Sequence, residues 1–213
     1  MIRFITAFLL ALTLSTGTTF AISGSAGGGL GATIPQGEFN NYTKTGFAFM
    51  GFGTIYPGTV PFMGIRFGGQ VVLFEHDSRD VILGGYPDAD LTETYSNNLL
   101  KGTLGLELST STGTFEPYGG AGIGVYYFES KTVLKNEIGT EVASNTLDSM
   151  TKFGYNFNGG FRLYFVPKVA VDFNVQYDII TDMEQYADDE VISFQSEFLS
   201  LFVGVHIPIG PGL

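Results

Sequence analysis

The 213-residue sequence contains no cysteine and no tryptophan. Without cysteine the chain forms no disulfide bond, no thiolate metal site and no cysteine nucleophile. Basic residues are also scarce, since 10 Lys and Arg stand against 21 Asp and Glu and leave a formal net charge of −11. Phosphate backbones are bound by clustered Lys and Arg, so no nucleic-acid partner is expected.

Long apolar runs are missing as well. After residue 21 no run reaches the ~18–20 apolar residues that a transmembrane helix needs. The chain is nevertheless 44% hydrophobic, with 30 Gly, 20 Phe and 11 Tyr. This composition is too apolar for a disordered chain and too rich in glycine and aromatic residues for a mainly helical one. If the chain lies in a membrane it must do so as a closed β-barrel, because lipid offers no partners to an open sheet edge.

The first 21 residues have the layout of a secretory signal peptide. Arg3 supplies a positive charge, residues 4–14 form an apolar run of 11, and small or polar residues lead to Ala21. The run is too short for a permanent membrane anchor. The sequence therefore predicts export, cleavage near Ala21 and a single barrel domain over residues 22–213.

The rest of the sequence alternates with period two, which places one class of residue on each face of a β-strand. In residues 151–165, for example, Phe153, Tyr155 and Phe157 lie on one face, and Asn156 and Asn158 lie on the other. We expect an even number of strands, as in an up-and-down barrel. The eight predicted strands cover residues 23–34, 46–56, 65–73, 100–110, 116–128, 151–165, 169–179 and 194–209.

The predicted connections alternate between short and long, which is the layout of outer-membrane barrels. Short turns would face the periplasm and long loops the cell exterior. The short turns are residues 57–61, 111–114 and 166–168, and the long loops are residues 35–45, 77–98, 130–150 and 181–193.

A secreted, lipocalin-like barrel also alternates with period two, but its apolar residues point inward. The polar faces here carry mostly Gly, Asn, Gln and Thr rather than the Lys and Glu of a solvated surface. This polarity favours a narrow polar lumen with an apolar outer wall. The predicted fold is therefore an all-β, eight-stranded antiparallel transmembrane barrel.

Four charged residues lie at similar distances from the short turns on four different strands. They are Arg66, Glu107, Arg162 and Asp172. An eight-stranded barrel is just wide enough for side chains to fill its interior, and unpaired charges there are costly. We expect the four to pair as a plug that closes the lumen. The alternative is a gate for a small solute or ion.

Two stretches of sequence resemble a known family. Residues 28–39 read Gly-Gly-Leu-Gly-Ala-Thr-Ile-Pro-Gln-Gly-Glu-Phe, and Thr45-Gly46-Phe47 begins the next strand. Residues 202–209, Phe-Val-Gly-Val-His-Ile-Pro-Ile, are similar to a final-strand assembly signal. The chain thus resembles the small OmpA/OmpX-like outer-membrane barrels. The resemblance implies eight strands and insertion by the outer-membrane assembly machinery. Outer-membrane lipid is the expected surrounding partner, and a monomer is expected.

Two further features suggest chemistry. Clustered carboxylates can bind Ca²⁺, although a plain solvated acidic loop explains them as well; they are Asp182, Glu184, Asp188, Asp189 and Glu190. His76 and Ser78 form a His-x-Ser motif like that of some lipid A deacylases, in which His activates Ser.

The expected function is that of a non-enzymatic outer-membrane barrel without a cofactor. Its role would be structural in the envelope, or contact with other surfaces through acidic loops. A small channel or ligand-binding barrel is the first alternative, and a lipid-modifying enzyme is the second.

Overall fold

The computed structural model describes residues 23–37, 40, 43–57, 60, 62–74, 77–82, 90–110, 113–136, 141–166, 168–187 and 190–210. The predicted signal peptide lies outside these residues. Within the same ranges, no helix has the length and apolar character needed to cross a membrane.

Almost all of the described chain is β-strand. The strands are β1 Ser23–Gln36, β2 Gly46–Tyr56, β3 Met63–Leu73, β4 Asp77–Ile82, β5 Asp90–Ser109, β6 Phe115–Asn136, β7 Glu141–Val166, β8 Val169–Ala187 and β9 Glu190–Ile209.

The strands form a closed antiparallel barrel. Strands that follow one another in the chain pair with each other, except β3 and β4. The seam of the barrel is the pairing of β1 with β9, from Gly24↔Ile209 to Gln36↔Glu197. Strands β3 and β4 both pair with β5, one beyond the other, so that they share one position in the wall. Eight positions result, and the predicted up-and-down barrel is confirmed.

Polarity is reversed relative to a soluble barrel. Large apolar side chains cover the outside, with Phe153 74% exposed and Ile123 61% exposed. Charged and amide side chains fill the inside, where Glu107 and Arg162 are fully buried. This alternation along each strand is the arrangement predicted for a barrel whose wall faces lipid.

The two ends of the barrel differ. At the turn end, β2–β3, β5–β6 and β7–β8 are joined by short connections. At the opposite, extended end the ladders continue well beyond the predicted loop boundaries. The β6–β7 ladder reaches Lys135↔Glu141 and the β8–β9 ladder reaches Ala187↔Glu190.

For three of the four long connections, the prediction of a loop was therefore wrong over much of the segment. Residues 77–98 contain β4 and the start of β5, residues 130–150 contain the ends of β6 and β7, and residues 181–193 contain those of β8 and β9. These segments lack an apolar face, so alternation of hydrophobicity disappears. Their backbones still form the antiparallel hydrogen bonds of the ladder, because a hairpin that extends into water does not need an apolar face.

Candidate functional site

The lumen next to the turn end is closed by an ion-pair group around one carboxylate. Glu107 on β5 accepts hydrogen bonds at Oε1 and Oε2 from Arg162 Nη2, at 2.8 and 2.9 Å. Arg66 Nη1 donates to Glu107 Oε2, and Tyr56 Oη donates to Oε1 at 2.6 Å. Two guanidinium groups thus share one carboxylate where the barrel excludes water.

A second carboxylate completes this group. Glu116 Oε1 accepts a hydrogen bond from Arg162 Nη1 at 2.5 Å, and Tyr164 Oη donates to Glu116 Oε2 at 2.8 Å. Glu116 lies directly opposite Arg162 in the β6–β7 ladder. Together Tyr56, Arg66, Glu107, Glu116 and Arg162 are named the Glu107 cluster.

Aromatic rings support both arginines. The Arg66 guanidinium carbon lies 3.9 Å from the ring centroid of Phe52, and that of Arg162 lies 4.1 Å from the ring centroid of Tyr118. Contacts of this kind attract a cation to the ring face and are stronger when water is excluded. The ring contacts therefore add to the ion pairs in holding both guanidinium groups in the lumen.

The structure brings together three of the four residues proposed from the sequence. Asp172 is also fully buried, and it faces Arg162 across the β7–β8 ladder. Its Oδ1 accepts a hydrogen bond from Tyr118 Oη at 2.7 Å, and no ion pair joins it to Arg66 or Arg162 among the described residues. Arg162 directs Nη1 to Glu116 and Nη2 to Glu107, while its Nε and the Oδ2 of Asp172 are buried without a hydrogen-bond partner among the described residues.

Glu116 was not singled out by the sequence reasoning. Its signal was present, because it shares the inward parity of Tyr118 on the same strand. The register between β6 and β7 places Glu116 opposite Arg162. Period-two alternation does not give the register between strands, so this pairing was not predicted.

A second polar group, the Lys101 cluster, lies further toward the extended end. Lys101 Nζ donates to Asp178 Oδ2 at 2.6 Å and to Gln176 Oε1 at 2.9 Å. Asp178 Oδ1 accepts from Tyr126 Oη and from Asn156 Nδ2, both at 2.8 Å. Lys101 and Asp178 are nearly inaccessible, at 4% and 2% exposure. The buried carboxylate thus has three donors and the buried ammonium has two acceptors.

An apolar layer closes the lumen nearest the extended end. The Phe198 ring lies 5.9 Å from that of Phe74 and 6.1 Å from that of Phe128, measured between centroids. The layer also contains Val72, Leu99 and Ile180. Along β5 the order is Glu107, Lys101, Leu99, so an ion crossing the barrel would meet two charged clusters and then a hydrocarbon plug.

Of the other residues that could carry chemistry, His206 has a described side chain and most of the rest do not. His206 is buried beside the Glu107 cluster, with Nδ1 3.3 Å from Tyr164 Oη. His76 lies outside the described residues, as do Asp188 and Asp189. Strand β4 includes Ser78, and the strand ends include Asp182, Glu184 and Glu190, but the side chains of these four are likewise not described. Among the described side chains no group of three or more His, Asp or Glu is arranged to hold a metal ion.

A closed barrel with an apolar wall and a filled polar interior is the architecture of small outer-membrane proteins. Residues 4–201 match the family described as outer membrane protein beta-barrel domain. The chain belongs to this family. Membership places the barrel in the bacterial outer membrane.

Solved structures are similar in fold to this family member. A major outer membrane protein from Thermus thermophilus has a TM-score of 0.51 at 14% identity, over 89% of this chain and 100% of that one. OprG from Pseudomonas aeruginosa has a TM-score of 0.50 at 12% identity, over 90% and 97%. The outer membrane enzyme PagL has a TM-score of 0.40 at 17% identity, over 87% and 99%. No curated protein sequence matches the chain. The likenesses to the Thermus thermophilus protein and to OprG show the fold alone.

Proposed function

We propose that this outer-membrane β-barrel is a closed, non-enzymatic wall protein that strengthens the envelope and presents an acidic surface for contact outside the cell. The observation that carries the proposal is the filled lumen. The Glu107 cluster, the Lys101 cluster and the apolar layer follow one another through the barrel.

The Glu107 cluster resists opening because its parts depend on one another. A water-filled path through it would separate Glu107 from Arg66 or Arg162. Breaking a buried pair leaves an uncompensated charge, at a cost of about 3–5 kcal/mol. A small solute would have to repeat such a disruption at the Lys101 cluster and then cross a hydrocarbon layer. The structure therefore supports a plug rather than a gate.

The extended end supports a role in contact. Outer-membrane barrels keep their short turns in the periplasm, so the extended end of this barrel would face the exterior. At this end the ladders β4–β5, β6–β7 and β8–β9 extend beyond the ends of β1, β2 and β3. Residues 182–190 carry five of the acidic residues, and no Lys or Arg follows Lys168 in the sequence. The exposed end would favour cationic or hydrogen-bonding partners over anionic ones.

Planar-bilayer recording tests the closed lumen. The refolded protein is first shown to be a barrel by its heat-modifiable gel mobility and then added to the bilayer at increasing amounts. We expect no steady single-channel steps. Steady, large currents from the wild-type protein would refute the plug and favour a small channel.

The non-enzymatic part of the proposal has its own test. Lipid A from cells that produce the wild-type protein is compared by mass spectrometry with lipid A from cells that produce Ser78→Ala. We expect identical acylation in both. Deacylation that disappears in Ser78→Ala would show a lipid-modifying enzyme, in which His76 would activate Ser78.

A further inference from the structure

A small internal cavity lies between the two charged clusters of the lumen. Its volume is about 10 Å³. Arg66 and Gln70 of β3, Thr103 of β5 and Asn158 of β7 contribute to its lining. Arg66 belongs to the Glu107 cluster, and Lys101 borders the cavity from the other side.

Three buried polar atoms of the lining have no hydrogen-bond partner among the described residues. They are one donor, Arg66 Nη2, and two acceptors, Gln70 Oε1 and Asn158 Oδ1. Arg66 is 5% exposed and Gln70 is 3% exposed, so bulk water does not reach them freely. Buried polar groups without partners are uncommon in native proteins, and an ordered water or ion is one established way to satisfy them.

The three side chains cannot easily turn away to find other partners. Arg66 Nη1 is held by Glu107. Gln70 Nε2 donates to Thr33 Oγ1 at 3.1 Å, and Asn158 Nδ2 donates to Asn156 Oδ1 at 3.3 Å. Each side chain is thus fixed at one polar atom, while a second polar atom has no partner, and all three residues line the same cavity.

We propose that this cavity is a binding site for a single water molecule, which accepts a hydrogen bond from Arg66 and donates one each to Gln70 and Asn158. Buried waters typically make about three hydrogen bonds, and one water needs roughly 10–15 Å³ of such space. A chloride ion accepts but does not donate, so it would leave both amide oxygens unpaired. A metal cation would face the Arg66 guanidinium. Water alone matches one donor and two acceptors.

The water would join two networks that no hydrogen bond between described residues connects directly. Through Arg66 it reaches Glu107, and through Asn158 it reaches Asn156 and Asp178 of the Lys101 cluster. Through Gln70 it reaches Thr33 on β1. The charged clusters would then be one hydrogen-bonded assembly that ties several strands together across the lumen.

Two neighbouring glycines on β3 provide a matched test. A methyl group added at Gly68 points into the lumen, where Thr103 Oγ1, 2.8 Å away, must turn aside. A methyl group added at Gly69 meets only the Lys101 carbonyl oxygen, at 3.9 Å, on the exposed outer wall. Gly68→Ala should therefore expel the water, and Gly69→Ala should keep it.

The measurement is cross-relaxation between water and side-chain amide protons, by NMR of the full barrel in detergent micelles. We expect cross-peaks from water to the Asn158 and Gln70 amides in the wild type and in Gly69→Ala, and their loss in Gly68→Ala. Absence of these cross-peaks in the wild type, or their persistence in Gly68→Ala, would overturn the proposal. If Gly68→Ala does not fold, Gln70→Met removes the Oε1 acceptor, together with the Nε2 donor to Thr33, at similar size, and the Asn158 cross-peak should disappear.

A crystal structure grown in bromide separates water from an anion. Density without an anomalous signal, within hydrogen-bond distance of the three orphaned atoms, is the expected result. An anomalous bromide peak between Arg66 and the amides would show an anion site instead and would refute the water.

Discussion

Glu107→Gln is the substitution that best tests how the lumen is held. The change keeps the size of the side chain and removes its negative charge. Glu107 is fully buried and receives both Arg66 and Arg162 together with the Tyr56 hydroxyl. A glutamine at this site would turn an amide N–H toward at least one of these donors. The variant is therefore expected to be destabilised through charge and not through loss of volume.

The magnitude follows from what each arginine retains. Arg162 still has Glu116 at 2.5 Å, so its charge stays paired. Arg66 has no second carboxylate partner among the described residues and keeps only the faces of Phe52 and Tyr118. One stranded buried charge corresponds to a loss of about 3–5 kcal/mol. Glu116→Gln is the matched control, since Glu116 lies nearer the rim and its loss removes charge-assisted hydrogen bonds of about 1.5–3 kcal/mol.

The assay is equilibrium unfolding in guanidinium, with the barrel in lipid vesicles and the folded fraction measured from gel mobility without heating. Glu107→Gln should unfold at a clearly lower midpoint than Glu116→Gln. Adding Arg66→Met to Glu107→Gln removes the stranded charge and should restore at least half of the loss. The reasoning is refuted if Glu107→Gln is no less stable than Glu116→Gln, or if the double variant is less stable than Glu107→Gln.

The same unfolding assay checks three further predictions. Lys101→Met leaves Asp178 without its cation and should cost about 3–5 kcal/mol, whereas a change below about 1 kcal/mol would mean that the carboxylate is reached by water. Phe198→Ala empties the centre of the apolar layer and should cost about 3–5 kcal/mol without producing conductance, because both charged clusters remain. Leu104→Arg, in the middle of the outer wall, should cost about 2–4 kcal/mol, and Phe165→Arg, next to the turn end, about 0–1 kcal/mol. Equal losses of stability at Leu104 and Phe165 would contradict the expected position of the membrane, with its centre at Leu104 and its edge near Phe165.

The wall of the barrel was predictable from the sequence because membrane strands carry a strong signal. β2 matches its predicted bounds, and the strands that span the wall begin or end within a few residues of prediction at the turn end. Large apolar residues at every second position mark these strands, and short turns with Pro and Gly mark their ends. The extended end was not predictable in this way, since strands in water need no apolar face.

The sequence indicates which residues lie in the interior of the barrel but not which of them contact one another. Inward parity places Arg66, Glu107, Arg162 and Asp172 on the polar faces of their strands, and all four are buried in the structure. Which carboxylate meets which arginine depends on the register of the ladders and on side-chain reach. Register and side-chain reach together bring Glu116 to Arg162 and Lys101 to Asp178. Neither factor is encoded in period-two alternation.

The seam between β1 and β9 has a consequence for how this protein is made. The first described strand finds one of its two neighbours only when the last strand arrives, with Gly24 beside Ile209. Contacts between the two ends of a chain form slowly, because a long loop must close before they give any stability. Until then β1 and β9 both expose unpaired backbone, which a bilayer does not tolerate. A chain that stops before β9 would therefore leave the edge of β1 unpaired, and the barrel reaches its full stability in the membrane only when its two ends have met.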